Sequence, residues 1–174
     1  AATTFHLDAI DDRLLDGTQT ATVIIDAIGY AAPAIESISI TDHESIVVTI
    51  AKESIAENDG TAATTATISR SNTDDLSAAL TVNLLSNDVT ELTVAASVVI
   101  AANTESAVIN LDAVDDLLLD GSQSVNISAS AADYFAVAVD DIIVTDSETI
   151  GLSLDKSQIR ENSASAAAFL TVSR

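Results

Sequence analysis

An internal repeat constrains this chain more than any other feature. Residues 5–70 return without a gap as residues 109–174, an offset of 104 positions (109 − 5), with roughly two in five residues identical. Asp11-Asp12-Arg-Leu-Leu-Asp16-Gly17-Thr-Gln19 comes back as Asp115-Asp116-Leu-Leu-Leu-Asp120-Gly121-Ser-Gln123. The acids stay while the residues around them drift, so whatever holds the acids in place acts on both copies. A unit of this length is a normal size for a small domain with its own core. On that reading the 174 residues divide into the closing part of one unit (1–43), a complete unit (44–148) and the opening strands of a third (149–174). The ends fall inside units, which makes the chain a window on a longer tandem array.

Within a unit the dominant period is two. Leu80, Val82 and Leu84 alternate with polar or small residues, and so do Ala107, Ile109, Leu111 and Ala113. Leu92 and Val94 start a run continued by Val98 and Ile100; Val125, Ile127 and Ala129 form another set, then Ile142 and Val144. Each reads as a half-buried strand. Turn clusters separate them at Asn58-Asp59-Gly60, Ser71 to Asp75, Ser86-Asn87-Asp88 and Asp120-Gly121. No segment sustains apolar residues at helical spacing over three turns. The expectation is all-β, an antiparallel sandwich of about seven strands per unit. With only 3% aromatic residues, its core has to be built from Val, Ile, Leu and Ala.

Charge narrows the function. Against 27 acidic residues stand 6 basic ones, a formal charge of −21. A phosphate-binding surface needs clustered Lys and Arg, so nucleic acid is excluded as a partner, and an anionic membrane surface would repel the chain. A hydrophobic content of 48% is too high for a disordered acidic tail. There is no Cys, hence neither disulfide nor thiolate zinc site. No run of about 20 apolar residues is present to insert in a membrane, and any export signal would lie outside this window.

Five acidic positions of the complete unit fall at strand ends: Glu57, Asp88, the pair Asp115-Asp116, Asp120 and Asp146. Carboxylates converging from separate loops repel one another unless a cation sits among them. Calcium takes six to eight oxygens in flexible geometry, whereas magnesium demands a tighter octahedron, so Ca2+ is the better fit. The other retained residues have plainer readings. Gly17 and Gly121 supply a positive φ in a turn. Tyr30 and Tyr134 read as corner tyrosines with hydroxyls bonded to backbone, Arg70 and Arg174 as ion-pair partners, and Asp74-Asp75 and Asp140-Asp141 as solvated turns. His6 and His43 have no counterpart His in the other copy and get no metal or catalytic role.

The blocks Ile-x-Glu-Asn-x-Gly-Thr-Ala…Thr-x-Ser-Arg, Leu-Thr-Val-x-Leu, Ala-Val-Asp-Asp…Asp-Gly-x-Gln and Val-Thr-Asp-x-Glu occur in this order across 44–148. Together they resemble the Calx-β domain. The resemblance implies an immunoglobulin-like sandwich with calcium held in loops at one end. It carries ligand roles onto Glu57, Asp88, Asp115, Asp116, Asp120, Gln123 and Asp146. In the first copy the equivalents are Asp11, Asp12, Asp16, Gln19 and Asp42; in the third, Glu161. Gln123 stands where strongly binding members have Glu, and Thr145 and Ser147 where they have acids. That implies fewer or weaker ions, toward the millimolar range of extracellular modules.

No catalytic constellation appears. There is no retained His to serve a Ser-His-Asp arrangement and no Cys nucleophile. A glycosidase cleft would need aromatic platforms this chain lacks. The expected function is therefore non-enzymatic: a calcium-stabilised structural repeat of an extracellular or cell-surface adhesin or filament. Its partners would be neighbouring repeats or copies of the same protein, with a host or matrix ligand as a further candidate. The competing reading is a calcium-dependent module that recognises a protein or glycan, and an intracellular calcium sensor comes third.

Overall fold

The computed structural model describes residues 2–163 and 165–174. Among the described residues there are thirteen strands, beginning with β1 (Gln19–Ile25), β2 (Ala34–Ile40), β3 (Ile46–Ile50), β4 (Ser54–Ala56), β5 (Thr64–Arg70), β6 (Leu80–Ser86) and β7 (Leu92–Val94). They continue as β8 (Ser97–Ile100), β9 (Ser106–Ala113), β10 (Gln123–Ser130), β11 (Ala138–Thr145), β12 (Gly151–Leu154) and β13 (Leu170–Ser173). Strands β3 to β11 form an all-β sandwich. One sheet has the order β4-β11-β10-β6-β8 and the other β3-β5-β9-β7. Neighbours run antiparallel except β4, which lies parallel to β11.

About seven strands become nine because two of them break and change sheet. The first interruption, at Ala51 to Glu53, parts β3 from β4; the second, at Ala95-Ala96, parts β7 from β8. Each half then pairs with a different sheet, which ties the layers together at their edges.

The period-two pattern decides what fills the space between the sheets. Ala66 and Ile68 on β5, Val82 on β6, Leu111 on β9, Val125 and Ile127 on β10, and Ile142 and Val144 on β11 are almost wholly removed from solvent. Every buried apolar residue among those described is Ile, Val, Leu or Ala. Burying one such Ile, Leu or Val side chain stabilises the fold by about 1.5–3 kcal/mol.

The flanking pieces repeat the complete unit's pairing. Hairpin β1–β2 pairs Gln19 with Ile40, the register in which β10–β11 pairs Gln123 with Val144. Hairpin β12–β13 pairs Gly151 with Ser173, as β3–β5 pairs Val47 with Ser69.

Three expectations about polar residues are corrected. Arg70 makes no ion pair among the described residues: it is buried at 5% exposure and donates to the carbonyls of Thr104, Ala78, Leu76 and Ala101. Its guanidinium closes the pole where β5 ends, because two loops there turn carbonyls inward without strand partners. The Tyr134 hydroxyl bonds to a side chain instead of backbone, donating to Asn72 Oδ1 at 2.6 Å. Burial raises its pKa, and Tyr30 in the first copy stands exposed. Asp140 and Asp141 are not in a turn but inside β11. The Asp140 carboxylate accepts from Ile50 N at 2.7 Å, capping an outward N–H of edge strand β3; an unpaired N–H at a sheet edge needs such a partner.

Candidate metal centre

The opposite pole gathers the ends of β4, β6, β9 and β11, and with them the acids. Glu57 opens a single 3-10 turn, Glu57–Asp59, directly after β4. Asp59 folds back to accept from Ala56 N at 3.1 Å, which holds that turn closed. Glu57 is consequently 2% exposed, and its Oε1 accepts from Ser147 N at 2.8 Å and Ser147 Oγ at 3.2 Å. The two ends of the unit are joined at this point.

Beside Glu57 lie Asp116, past the end of β9, and Glu148, past the end of β11. One carboxylate oxygen from each of the three lies within 4.8 Å of the others. Calcium holds its oxygens at about 2.3–2.6 Å, so oxygens on opposite sides of the ion are separated by about this span. Glu148 Oε2 is fully buried and has no hydrogen-bond partner among the described residues. A buried carboxylate oxygen left without a donor is costly, and either a cation or a proton shared with Glu57 would satisfy it. The donor set, all hard oxygens, fits calcium.

Around this group the other acids fall into place unequally. Asp146 Oδ2 accepts from Gly121 N at 2.9 Å and fastens the Asp120-Gly121 loop to the end of β11. Gly121 has φ +88°, a left-handed conformation that glycine adopts without strain. Asp116 Oδ1 accepts from Leu118 N at 2.6 Å, turning the loop after β9. Asp115 and Asp120 are exposed at its rim, and Gln123 sits half-buried at the start of β10. Asp88 accepts from Thr90 Oγ1 at 2.6 Å and Thr90 N at 3.0 Å; these bonds hold its carboxyl below the usual carboxylate range.

Two glutamates were not among the ligands expected from sequence. Glu148 was legible there, because Thr145-Asp146-Ser147-Glu148 matches Thr41-Asp42-His43-Glu44 in the other copy. Glu91 was not, since its segment occurs only once in the chain. Glu91 is 6% exposed; burial pushes its carboxyl up, and Asp120, Asp88, Asp116 and Glu57 push it further. Burial likewise raises Glu148, with Glu57 and Asp146 adding to it.

The first copy reproduces this loop geometry. Gly17 N donates to Asp42 Oδ2 at 2.8 Å and Leu14 N to Asp12 Oδ1 at 3.1 Å, matching Gly121 with Asp146 and Leu118 with Asp116. Asp11, Asp12, Asp16, Gln19, Asp42 and Glu44 line one cavity of about 210 Å3. Glu161 stands exposed beyond β12.

The raised glutamates set an expected pH response. Their folded pKa values lie above the unfolded ones, so their stabilising contribution is complete below the ordinary carboxylate range. It disappears as pH rises through their folded values. Asp88 works the other way, losing its contribution only as pH falls through a value below that range. In chelator the melting midpoint should therefore rise as pH is lowered toward the ordinary carboxylate range, then fall in stronger acid. A midpoint that is flat or falling over the first span would mean that the fold does not raise Glu91 and Glu148.

No family model matches the chain, and no curated protein does. Among solved structures, the crystal structure of the apo-form Calx CBD1 domain is similar to it at TM-score 0.42 and 12% identity. That match covers 60% of this chain and 99% of the other. Among the described residues no helix is long and apolar enough to cross a membrane.

Proposed function

We propose that the chain is a calcium-stabilised structural repeat of an extracellular or cell-surface array, working as a rod segment of an adhesin or filament. The observation that carries this reading is the Glu57–Asp116–Glu148 group with its orphaned Glu148 oxygen. Glu57, Asp116 and Glu148 would hold the ion, with Asp115, Asp120 and Asp146 around them. The ion would supply positive charge to a pole otherwise built of carboxylates, and no bond is made or broken in that role. The resemblance of the acid-bearing blocks to the Calx-β domain supports calcium as the ion.

A rod function draws on where the ligands lie. Glu148 stands beyond the last strand of its unit, at the start of the next. Its counterpart Glu44 stands at the junction between the first copy and the complete unit. There the Glu44 carboxylate belongs to the acidic cavity, while its carbonyl accepts from Phe135 N at 2.7 Å. His43 stacks on Phe135 with ring centroids 5.1 Å apart. An ion that fixed Glu44 would therefore also fix the contact between two units. Neighbouring repeats or copies of the same protein are the partners this role requires.

The chain has no Cys, so labels on Ser39→Cys and Ser97→Cys are unique across the first junction. Electron–electron resonance distances between them should narrow in millimolar calcium and broaden in chelator. An equally broad distribution in both would overturn the rod reading while leaving calcium binding to be scored separately.

A further inference from the structure

The two flanking hairpins leave uncovered the faces that their counterparts bury. Hairpin β12–β13 repeats β3–β5, so Leu152, Leu154, Leu170 and Val172 occupy the positions of Val48, Ile50, Ala66 and Ile68. Val172 is 62% exposed where Ile68 is fully buried, and the three leucines are exposed with it. Hairpin β1–β2 repeats β10–β11, and Ile25, Ile38 and Ile40 are exposed at the positions of the buried Ala129, Ile142 and Val144. In the complete unit these two faces meet: β3 lies against β11 and β10, and their inward residues share one core. Residues 2–9 stand where β9 stands, yet form no strand and leave Phe5 and Leu7 exposed. A hairpin of two strands is marginal in water unless its apolar face is covered.

We propose that a second copy of this chain covers these faces: β12–β13 of one copy closes on β1–β2 of the next, as β3–β5 closes on β10–β11 within the complete unit. Residues 2–9 of that next copy add to β13 as β9 adds to β5, which sets Phe5 opposite Leu170 as Ile109 stands opposite Ala66. The composite lacks counterparts of β6, β7 and β8, but three strands with a packed apolar face are enough for a stable unit. Charge selects the same pairing. Residues 149–174 carry Lys156, Arg160 and Arg174 against two acids, Asp155 and Glu161, whereas 1–43 carry Arg13 against seven acids. In a chain of net charge −21, the β12–β13 segment is therefore the one that an acidic surface attracts. Both faces are exposed within a single chain, and among the described residues no strand pairing joins them, so the contact runs between copies. The two surfaces differ, which makes the contact heterologous and lets it propagate head to tail. This inference deepens, and rests on, the array reading above.

The test is sedimentation velocity of the full 174-residue chain at rising concentration in millimolar calcium. The wild type should form a series of growing oligomers. Leu152→Asp spoils the β12–β13 face and Ile38→Asp the β1–β2 face, so each variant alone should lose all growth. Mixed one to one they should form dimers and nothing longer, because each keeps the face that the other lacks. Both substitutions lie outside the complete unit, and an unchanged melting midpoint would show that unit folded. Arg160→Glu leaves both apolar faces intact and should weaken growth through charge alone; it serves if the Asp variants unfold their hairpins. A wild type that stays monomeric, or oligomers that persist in both Asp variants and in Arg160→Glu, would overturn the contact. The Ser39–Ser97 label distances, taken on monomer, score the rod reading separately.

Discussion

In millimolar calcium the chain should melt roughly 10 °C or more above its midpoint in chelator, and Glu57→Gln should erase most of that difference. One site filled at about 100 times its dissociation constant adds about 2.7 kcal/mol to folding stability. For a unit of about 100 residues each kcal/mol moves the midpoint by about 4–8 °C. The substitution acts with opposite signs in the two conditions. Without calcium, Glu57 is a buried carboxylate beside Asp116 and Glu148, and losing its charge relieves repulsion, so the variant should be as stable as the wild type or more so. With calcium, a ligand is lost and the ion's contribution goes with it. Differential scanning calorimetry in both buffers reads the crossing. A variant that lowers the midpoint equally in both would mean Glu57 acts only through its bonds to Ser147.

Arg70→Met should cost about 3–4 kcal/mol with or without calcium. The guanidinium is the shared donor for carbonyls of Thr104, Ala78, Leu76 and Ala101, in a place water hardly reaches. Methionine fills much of the volume but leaves the Thr104 and Ala78 carbonyls unmet, while Leu76 and Ala101 keep their bonds from Asn103 N and Thr104; hydrogen bonds from a charged donor are each worth about 1.5–3 kcal/mol without being additive. Against a total of about 5–15 kcal/mol for a domain, that is a large share. Urea unfolding would show it as a lower midpoint with an unchanged slope. A loss below about 1 kcal/mol would mean that the two loops reclose on themselves without the arginine.

These two residues also show how unevenly sequence reports on structure. Arg70 and Glu57 both recur in the second copy, as Arg174 and Glu161, so their importance was visible in the repeat. Their partners were not. Charge suggested that Arg70 pairs with an acid, but the fold brings four carbonyls to it instead. Asp140 and Asp141 looked like a turn because paired aspartates favour turns. Inside β11 the edge of the neighbouring sheet offered Asp140 a backbone N–H, and that tertiary contact outweighed the local preference.

The candidate centre divides in the same way. Asp116, Asp120 and Asp146 were readable because two copies retain them, and Glu148 could have been read from Glu44 by the same comparison. Glu91 carries no such signal: its loop occurs once, and a lone glutamate after a turn looks solvated. Only the fold, which buries Leu92 and ties the Glu91 carbonyl to Val114 N, shows that the residue is buried.

Alternation of apolar residues was enough to set the strands, since the side-chain period of a strand is local and every second residue must face the core. Repetition was enough to single out the recurring acids, since the same residues return 104 positions further on. Which strands break and change sheet, which acids stand within one ion's reach and which polar groups end up buried depend on contacts between residues distant in the chain. Ser147 binds Glu57 across 90 positions, and Arg70 reaches Thr104 across 34. A pattern that repeats every second residue holds no information about such meetings; they exist only once the two sheets have closed on each other.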